Sequence, residues 1–592
     1  MIHCLADNIH SPFGNTTADN FAALRRGAQR PTLHRLPGVP EPLCAALWPE
    51  GAIEARYAAL YGDAEGLSRF EQLALLSIRA ALAQTELDVS APDCLLLLST
   101  TKANVRWLAA APESFAPRTG TLGETAAVIA RHAGFSTVPV VVSNACISGA
   151  HALLLAARLL RQKAYRHVVV CGVDEQSPFI AAGFQSFRAL SLAPCRPFDA
   201  ARDGLNLGEA AATLVLSSDA SRRAVETPRA VLDWCLVSGA VRNDANHISG
   251  PSRTGEGAFR ALRATLPPDV SRLAFVSAHG TATPYNDEME SQALSRAALS
   301  ALPVAAYKGL FGHTMGAAGV LETLLSFRAV EAGCVPPVQG FAQLGVTRPV
   351  SVSAVERPTQ RRELVKMLSG FGGCNAALHF APAPDVADAP RGFVERNWTP
   401  VAEVRLTSTT CSVDGETLPL SATGEALLAA IYAEFIGGYP KFHKMDPLSR
   451  LGFVASELLL AAVRRKGHRL DENTAVVLVG HSGSQAADTR FQHTIADPDN
   501  YYPSPAVFVY TLPNIATGEI AIRNGFHGET AYFALPAFDP AFDPARVRRL
   551  VCTAGTDPET TALVGGWIEC PTADRFEAHL HCYLPQAAAL RP

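Results

Sequence analysis

The stretch Ser143-Asn144-Ala145-Cys146-Ile147-Ser148-Gly149 joins two segments of different pattern and decides the fold. Before it, residues 138–142 are mostly β-branched and apolar, which is typical of a buried strand. After it, residues 151–162 carry leucine and alanine at helical spacing. A cysteine at such a junction would lie at a helix N-terminus, where free N–H groups and the helix dipole favour a thiolate and can hold an oxyanion. The pattern predicts that Cys146 is a nucleophile, although a buried cysteine is more often structural.

Two histidines lie downstream in loops of small residues. His279 stands in Ser277-Ala278-His279-Gly280-Thr281-Ala282-Thr283-Pro284, directly after an apolar, strand-like segment. His313 stands in Lys308-Gly309-Leu310-Phe311-Gly312-His313-Thr314-Met315-Gly316, and a helix-like run follows from Val320 to Glu331. A single histidine beside glycine is more often a loop or core residue than a catalyst. Three such loops in one chain favour a catalytic site.

With these loops the sequence resembles the β-ketoacyl-acyl-carrier-protein synthases, the condensing enzymes of fatty acid and polyketide synthesis. The resemblance covers residues 1 to about 382. It includes the opening segment Ile9-His10-Ser11-Pro12-Phe13-Gly14, the Cys146 segment, both histidine loops and Ser369-Gly370-Phe371-Gly372-Gly373-Cys374-Asn375-Ala376. It implies an α/β protein with the duplicated thiolase fold, built of α/β/α/β/α layers.

The resemblance also implies roles for individual residues. Cys146 matches the acyl-accepting nucleophile, and His279 and His313 match the histidine pair of the elongating, decarboxylating branch. The initiating branch pairs histidine with asparagine instead. Lys308 and Glu322 match supporting positions around the second histidine, where they would orient it and set the local charge.

The glycine-rich segment has two readings. In the family, the residue matching Phe371 contributes a backbone N–H to an oxyanion site and acts as a gate, with Gly372 and Gly373 allowing movement. The other reading is an ordinary tight turn. The segment is not a dinucleotide loop, because the G-x-G-x-x-G spacing is absent.

The resemblance further implies the partners. Substrates would arrive on the phosphopantetheine of an acyl carrier protein, and the enzyme would bind no cofactor or metal of its own. A homodimer is expected, and a heterodimer with another synthase-like subunit is the alternative. The motifs around Cys146 and Thr100 look like those of aryl-polyene-type synthases.

Composition is compatible with this assignment. The chain has 592 residues, 48% of them apolar, and a net charge of −4 with mixed signs, so nucleic acid binding has no electrostatic support. No stretch approaches the roughly 20 apolar residues that a membrane span needs. Thirteen cysteines without a C-x-x-C pair argue against zinc and against a disulfide framework. Together with the absence of a secretory signal at the start, this predicts a cytoplasmic protein.

A second domain is predicted after a linker. Residues 383–396 are rich in Pro, Ala and Asp and separate a synthase domain, residues 1–382, from residues 397–592. The second part repeats the first half of the synthase, with Gly525-Phe526 matching Gly134-Phe135 at an offset of 391 residues. This register puts Ala537 where the first copy has Cys146. We therefore expect a degenerate, partial thiolase-like α/β domain without the catalytic cysteine and, from its shorter spacing, without the nucleophile helix.

Other functions are open to the chain. A non-catalytic partner of the chain-length-factor type would keep the fold but would typically lack Cys146. A degradative thiolase would use a second cysteine in place of the histidine pair. A serine thioesterase could use Ser482 in Gly480-His481-Ser482-Gly483-Ser484, but this stretch lacks the last glycine of G-x-S-x-G.

Overall fold

The computed structural model describes residues 1–27, 30–64, 66–109, 120–219, 233–383, 393–536 and 544–586. The elements up to residue 217 are β1 (His3–His10), α1 (Thr17–Arg26), β2 (Thr32–His34), β3 (Leu43–Ala46), α2 (Ala52–Tyr61), α3 (Arg69–Leu82), β4 (Cys94–Ser99), α4 (Leu122–Ala133), β5 (Val140–Val142), α5 (Ser148–Arg161), β6 (His167–Asp174), α6 (Pro178–Ser186), β7 (Leu207–Gly208) and β8 (Ala210–Ser217).

A second set of elements follows, up to residue 382. They are β9 (Trp234–Asn243), α7 (Glu256–Thr265), β10 (Leu273–Ser277), α8 (Pro284–Arg296), β11 (Val304–Ala305), α9 (Lys308–Phe311), α10 (Ala318–Glu331), β12 (Cys334–Val335), β13 (Arg357–Pro358), β14 (Glu363–Gly370) and β15 (Cys374–Pro382).

The C-terminal segment, which we define as residues 393–586, contains the remaining elements. They are β16 (Trp398–Thr407), β17 (Cys411–Val413), β18 (Glu416–Thr417), α11 (Glu425–Ile431), α12 (Pro447–Arg465), β19 (Thr474–Gly480), α13 (Gln485–His493), α14 (Pro505–Tyr510), α15 (Ile515–Asn524), β20 (Thr530–Ala534), α16 (Pro544–Thr553), β21 (Ala562–Thr572) and β22 (Arg575–Pro585).

Two five-stranded sheets form the first 382 residues. The first has the order β5-β4-β6-β8-β1, with β4 parallel to β5 and β6 and the other pairs antiparallel. The second has the order β11-β10-β14-β15-β9, with β10 parallel to β11 and β14. Every residue of β4, β6 and β8 is buried. Such strands need helices on both faces, which explains their continuous apolar runs.

The helices complete a layered arrangement. Helices α5 and α10 contact each other and strands of both sheets, so they form the central layer. Helix α3 packs on the outer face of the first sheet, and α7 packs on the outer face of the second. The duplicated α/β/α/β/α thiolase fold predicted from the sequence is confirmed.

The C-terminal segment repeats the first sheet. Its strands follow the order β20-β19-β21-β22-β16, with β19 parallel to β20 and β21 and the last two pairs antiparallel, as in the first sheet. The partial thiolase-like α/β unit is therefore confirmed. The expected loss of the nucleophile helix is wrong: α16 stands between β20 and β21, with 10 residues where α5 has 14. Ala537, predicted to stand at the Cys146 position, lies outside the described residues.

The two repeats meet edge to edge. Strand β20 pairs antiparallel with β5, with Phe533 opposite Val142 and Ala534 opposite Val141. The first sheet and the C-terminal sheet thus continue into each other. The division at residues 382 and 397 stays a prediction, and most of the predicted linker lies outside the described residues. Among the described residues, no helix has the length and apolar character needed to cross a membrane.

Candidate active site

Cys146 lies where the sequence predicts it, in a sharp turn between β5 and α5. A single 3₁₀ turn covers residues 145–147, and Ala145 before the cysteine has a φ of 48°, in the left-handed region. Ser148 fixes the turn, since its Oγ accepts from Asn144 N at 2.8 Å and donates to Ala145 O at 2.6 Å. The strained turn presents Cys146 at the N-terminus of α5 with 9% of its surface exposed.

The protonation state of Cys146 differs from the expectation. Burial raises the pKa of its thiol to about 12, although the nearby Lys308 acts in the opposite direction. Loss of hydration outweighs the favourable charges around the sulfur. Cys146 is thus a thiol at neutral pH, and its proton must leave as the sulfur attacks.

The structure brings the two predicted histidines to Cys146. The rings of His279 and His313 meet edge to face with their centroids 5.1 Å apart. Cys146 Sγ and one nitrogen of each ring all lie within 4.8 Å of one another. The three residues come from a strand-to-helix turn and from two separate loops, and the sheets place all three in one buried site.

Both histidines are neutral hydrogen-bonding groups at neutral pH. Burial, together with the Lys308 ammonium, lowers the pKa of both rings well below their ordinary value of 6.5. Met315 N donates to His313 Nδ1 at 3.2 Å, so the single ring proton of His313 is on Nε2. His313 Nε2 and His279 Nδ1 are buried and have no partner among the described residues. Such unpaired polar groups are available for a substrate.

Lys308 and Glu322 lie beside the histidines and are joined by a second lysine. Lys308 Nζ donates to His279 O and to Glu322 Oε1, each at 2.6 Å. Lys366 Nζ donates to the other Glu322 oxygen and to Ala278 O, the latter at 3.0 Å. Burial lowers the pKa of Lys366, and Glu322 opposes the shift. The carboxylate therefore ties two buried ammonium groups to the loop that carries His279.

Sequence reasoning missed Lys366, although a signal was present. Lys366 interrupts the apolar run of β14, whose neighbouring residues are all buried. A charged residue in such a strand needs a buried partner. That pattern alone marks Lys366 as a candidate for an internal ion pair.

Two buried carboxylates hold the histidine loops and were also missed. Glu290 accepts from His279 N and Gly280 N, each at 2.7 Å. Asp174 accepts from Gly316 N at 2.7 Å and from Thr100 Oγ1 at 2.6 Å, and burial raises its pKa to about 6. Nothing in the local sequence distinguishes these carboxylates from solvated ones.

The Phe371 loop, residues 370–373, lies against Cys146. A Cβ added at Gly370 would be 3.2 Å from Cys146 N, so the two backbones touch. Gly372 and Gly373 have φ values of 90° and 73°, which favour glycine. The loop is therefore in contact with Cys146, while its predicted oxyanion and gating roles stay predictions.

An apolar pocket beside Cys146 is lined by both parts of the chain. The wall from the first 382 residues includes Ile180, Phe184, Met315 and Phe371, and the C-terminal segment adds Phe508, Thr511 and Leu512. Phe508 meets Phe184 edge to face with ring centroids 5.7 Å apart. No motif marks the C-terminal wall, because these residues reach the pocket only through the tertiary structure.

Ser482 lacks the surroundings of a hydrolase nucleophile. Its Oγ donates to the Glu569 carboxylate, and its backbone N donates to the same carboxylate at 3.2 Å. The neighbouring His481 uses Nδ1 to donate to Leu535 O at 2.9 Å. Within the part of the chain that the structure describes, no histidine contacts Ser482 Oγ, so the thioesterase alternative lacks the histidine base of a hydrolase triad.

A second group of residues could geometrically hold a metal ion. Glu403, His579 and His581 lie on neighbouring strands with their ligand atoms within 4.8 Å of one another. The Arg405 guanidinium lies 3.7 Å from the Glu403 carboxylate and already balances its charge. This arrangement does not favour a cation.

Comparison with known proteins matches most of the chain to one family. The N-terminal domain of Beta-ketoacyl synthase matches residues 61–221 and, a second time, residues 419–533. The Beta-ketoacyl synthase C-terminal domain matches residues 235–342. The second match falls in the segment that repeats the first sheet.

Individual proteins agree with the family match. The chain is 33% identical to 3-oxoacyl-[acyl-carrier-protein] synthase 2 of Synechocystis sp., over 40% of this chain and 60% of that protein. It is 32% identical to the tetracenomycin polyketide synthase ketoacyl synthase alpha subunit of Streptomyces glaucescens, over 43% and 62%. The chain thus spans about 60% of the length of these relatives. A solved structure, PfaC Keto synthase-Chain length factor, shares the fold over 99% of this chain and 78% of its own, with a TM-score of 0.75 and 15% identity.

Proposed function

Because the chain belongs to the beta-ketoacyl synthase family, we propose that it catalyses the decarboxylative Claisen condensation of an acyl thioester with a malonyl thioester. It would be an acyltransferase of the 3-oxoacyl-acyl-carrier-protein synthase type, acting in fatty acid, polyketide or aryl-polyene-type biosynthesis. One observation supports this proposal above all: Cys146 Sγ and the ring nitrogens of His279 and His313 meet within 4.8 Å in a buried site.

In the first step Cys146 takes the acyl group. Its sulfur attacks the carbonyl carbon of an acyl-phosphopantetheine, a new carbon–sulfur bond forms, and the bond to the pantetheine sulfur breaks. The thiol proton of Cys146 ends on the departing pantetheine thiolate. Backbone N–H groups at Cys146 and Phe371 are proposed to hold the intermediate oxyanion here, and again in the second step when the enolate attacks the acyl-cysteine.

In the second step the histidines act as neutral hydrogen-bond donors. Loss of carbon dioxide from the malonyl group leaves an enolate, whose oxygen accepts from His313 Nε2–H and from the His279 ring. Donors that are already oriented and shielded from water stabilise such a charge strongly. The enolate carbon then attacks the carbonyl carbon of the acyl-cysteine, a carbon–carbon bond forms and the bond to Cys146 Sγ breaks. The Cys146 thiolate that leaves takes a proton from water.

The ion-pair network keeps this arrangement in place. Glu322 holds Lys308 and Lys366, and both lysines donate to backbone carbonyls of residues 277–279. The two ammonium groups also keep the histidines unprotonated, because a second positive charge nearby is unfavourable. Lys308 and Glu322 are thus proposed as positioning residues for His279.

The substrates are proposed to arrive on the phosphopantetheine of an acyl carrier protein, with no resident cofactor, and cytoplasm stays the proposed location. The resemblance to the family predicts a homodimer, or a heterodimer with another synthase-like subunit, but one contact favours a monomer instead. The β5 edge is already paired with β20 of the same chain. Because this edge is occupied, the C-terminal segment is proposed to take the place of a second subunit. Its role would then be the non-catalytic one of a chain-length factor.

Intact-protein mass spectrometry tests the proposed activity. The protein is incubated with acyl carrier proteins of several chain lengths and then with malonyl carrier protein. We expect an acyl adduct on the wild type, absent in Cys146→Ala, that malonyl carrier protein discharges as a β-ketoacyl product. An adduct on both proteins, or an adduct that malonyl carrier protein never discharges, would contradict the proposal.

A further inference from the structure

Asn514 lies where the C-terminal segment meets the Phe371 loop. It precedes α15, and 1% of its surface is exposed. Its Nδ2 donates to Phe371 O at 2.8 Å and lies 3.8 Å from Cys374 Sγ. The only other described donor to Phe371 O is the weak Cys374 thiol at 3.3 Å. Asn514 therefore supplies the strong hydrogen bond that this carbonyl has.

The contact is close on both sides. A Cβ added at Gly372 would lie 2.6 Å from Asn514 Nδ2, and one added at Gly518 would lie 2.8 Å from Gly372 O. The start of α15 and the Phe371 loop thus touch in two places: the backbones of Gly518 and Gly372 meet, and the Asn514 side-chain amide lies against Gly372. A shift of α15 would move the loop.

The chain just after α15 is held against the synthase part by a buried ion pair. Glu529, shortly after α15, is fully buried and pairs with Arg158 at 2.7 Å and with His151 at 3.1 Å, both on α5. His151 Nδ1 in turn accepts from Asn144 Nδ2 at 3.0 Å, two residues before Cys146. The helix that follows Cys146 is therefore tied to the chain between α15 and β20.

We propose that Asn514 is a positioning residue: the C-terminal segment acts as a built-in partner, and Asn514 holds the Phe371 loop in the place over Cys146 that condensation requires. This inference rests on the proposed function, since the loop is needed there for the second step. Without the bond, Phe371 O keeps only the Cys374 thiol and the loop opens more often.

The test compares Asn514→Ala with a matched variant of the same helix, Asn524→Ala. Asn524 Nδ2 donates to Glu457 at 3.2 Å, inside the C-terminal segment and away from the loop. The first measurement is the rate at which iodoacetamide alkylates Cys146, followed on its peptide by mass spectrometry. We expect alkylation about fivefold faster in Asn514→Ala and unchanged in Asn524→Ala.

The second measurement is the steady-state condensation rate. We expect kcat about tenfold lower in Asn514→Ala, with KM for malonyl carrier protein changed less than twofold, whereas Asn524→Ala keeps the wild-type kcat. A tenfold loss corresponds to about 1.4 kcal/mol. A positioning role moves kcat and Cys146 access together, and a general loss of stability would affect both variants.

Two outcomes would overturn the proposal: unchanged alkylation in Asn514→Ala, or equal effects of the two variants on both measurements. If Asn514→Ala does not fold, Asn514→Asp takes its place in the same comparison with Asn524→Ala. Aspartate has the shape of asparagine, but its carboxylate repels the Phe371 carbonyl instead of donating a hydrogen bond to it. If the wild type fails to condense any substrate, the proposed function fails, while the alkylation rates still decide whether Asn514 holds the loop.

Discussion

Phe533 of β20 pairs with Val142 of β5 across an antiparallel junction, and each is the counterpart of the other in the two sequence repeats. The offset of 391 residues that relates Gly134 to Gly525 also relates Val142 to Phe533. A strand that pairs with its own counterpart in this way defines a local twofold relation, as in the isologous interface of a dimer. The C-terminal segment thus occupies the edge where a second copy of the first sheet would pair.

The occupied edge predicts the oligomeric state. A strand edge that is already paired is no longer free to recruit another chain. We expect the full chain to be a monomer of about 62.8 kDa in size-exclusion chromatography with light scattering. A concentration-independent dimer would show that another surface, not the β5 edge, mediates association.

The histidines should matter for condensation and not for acylation. His279→Ala or His313→Ala removes one neutral donor from the enolate, and loss of one such donor typically costs about 10²–10³ in kcat. The acyl adduct on Cys146 should still form, and its detection by mass spectrometry serves as the control for folding and substrate access. Retained condensation in either variant would contradict the two-histidine mechanism.

The reactivity of Cys146 should depend steeply on pH. Burial raises the pKa of this thiol to about 12. The reactive thiolate fraction then grows about tenfold per pH unit over pH 7–10, and the alkylation rate should rise without a plateau in that range. The rate is followed on the Cys146 peptide, with Cys146→Ala as the control. A plateau near pH 7 would show that the N-terminus of α5 outweighs burial.

The proposed catalytic residues could be singled out in the sequence because each carries its own local pattern. Cys146 and His279 stand in small-residue segments that follow strands, and His313 stands in one that precedes a helix. The structure brings Cys146 Sγ and one nitrogen of each ring within 4.8 Å of one another. The layered fold was predicted from the family resemblance that these motifs carry. The raised pKa of the Cys146 thiol was not predictable, because a helix N-terminus is visible in the sequence while the extent of burial is not.

The C-terminal contribution to the site could not be predicted. Phe508 and Asn514 come near Cys146 only because β20 pairs with β5 and carries α14 and α15 with it. The repeat in the sequence showed that a second half-synthase exists, but periodicity contains no information on where that unit packs. Predicting this contact would have required knowing that the edge strands of the two repeats, β5 and β20, pair with each other.

The Glu529 ion pair predicts how firmly the two parts are joined. Arg158 and His151 lower the pKa of Glu529 far below its usual value, against the effect of burial. A carboxyl with a lowered folded-state pKa contributes stability that is present above its unfolded pKa of about 4.5 and is lost as the pH falls further. Glu529→Gln leaves the Arg158 charge buried without its partner, which should lower the free energy of unfolding by about 3–5 kcal/mol in urea titrations at pH 7.

The double variant Glu529→Gln/Arg158→Met should recover part of that loss, because it removes the unpaired charge as well. If the double variant is as unstable as the sum of the single ones, the two groups are not coupled and the ion pair does not join the C-terminal segment to α5.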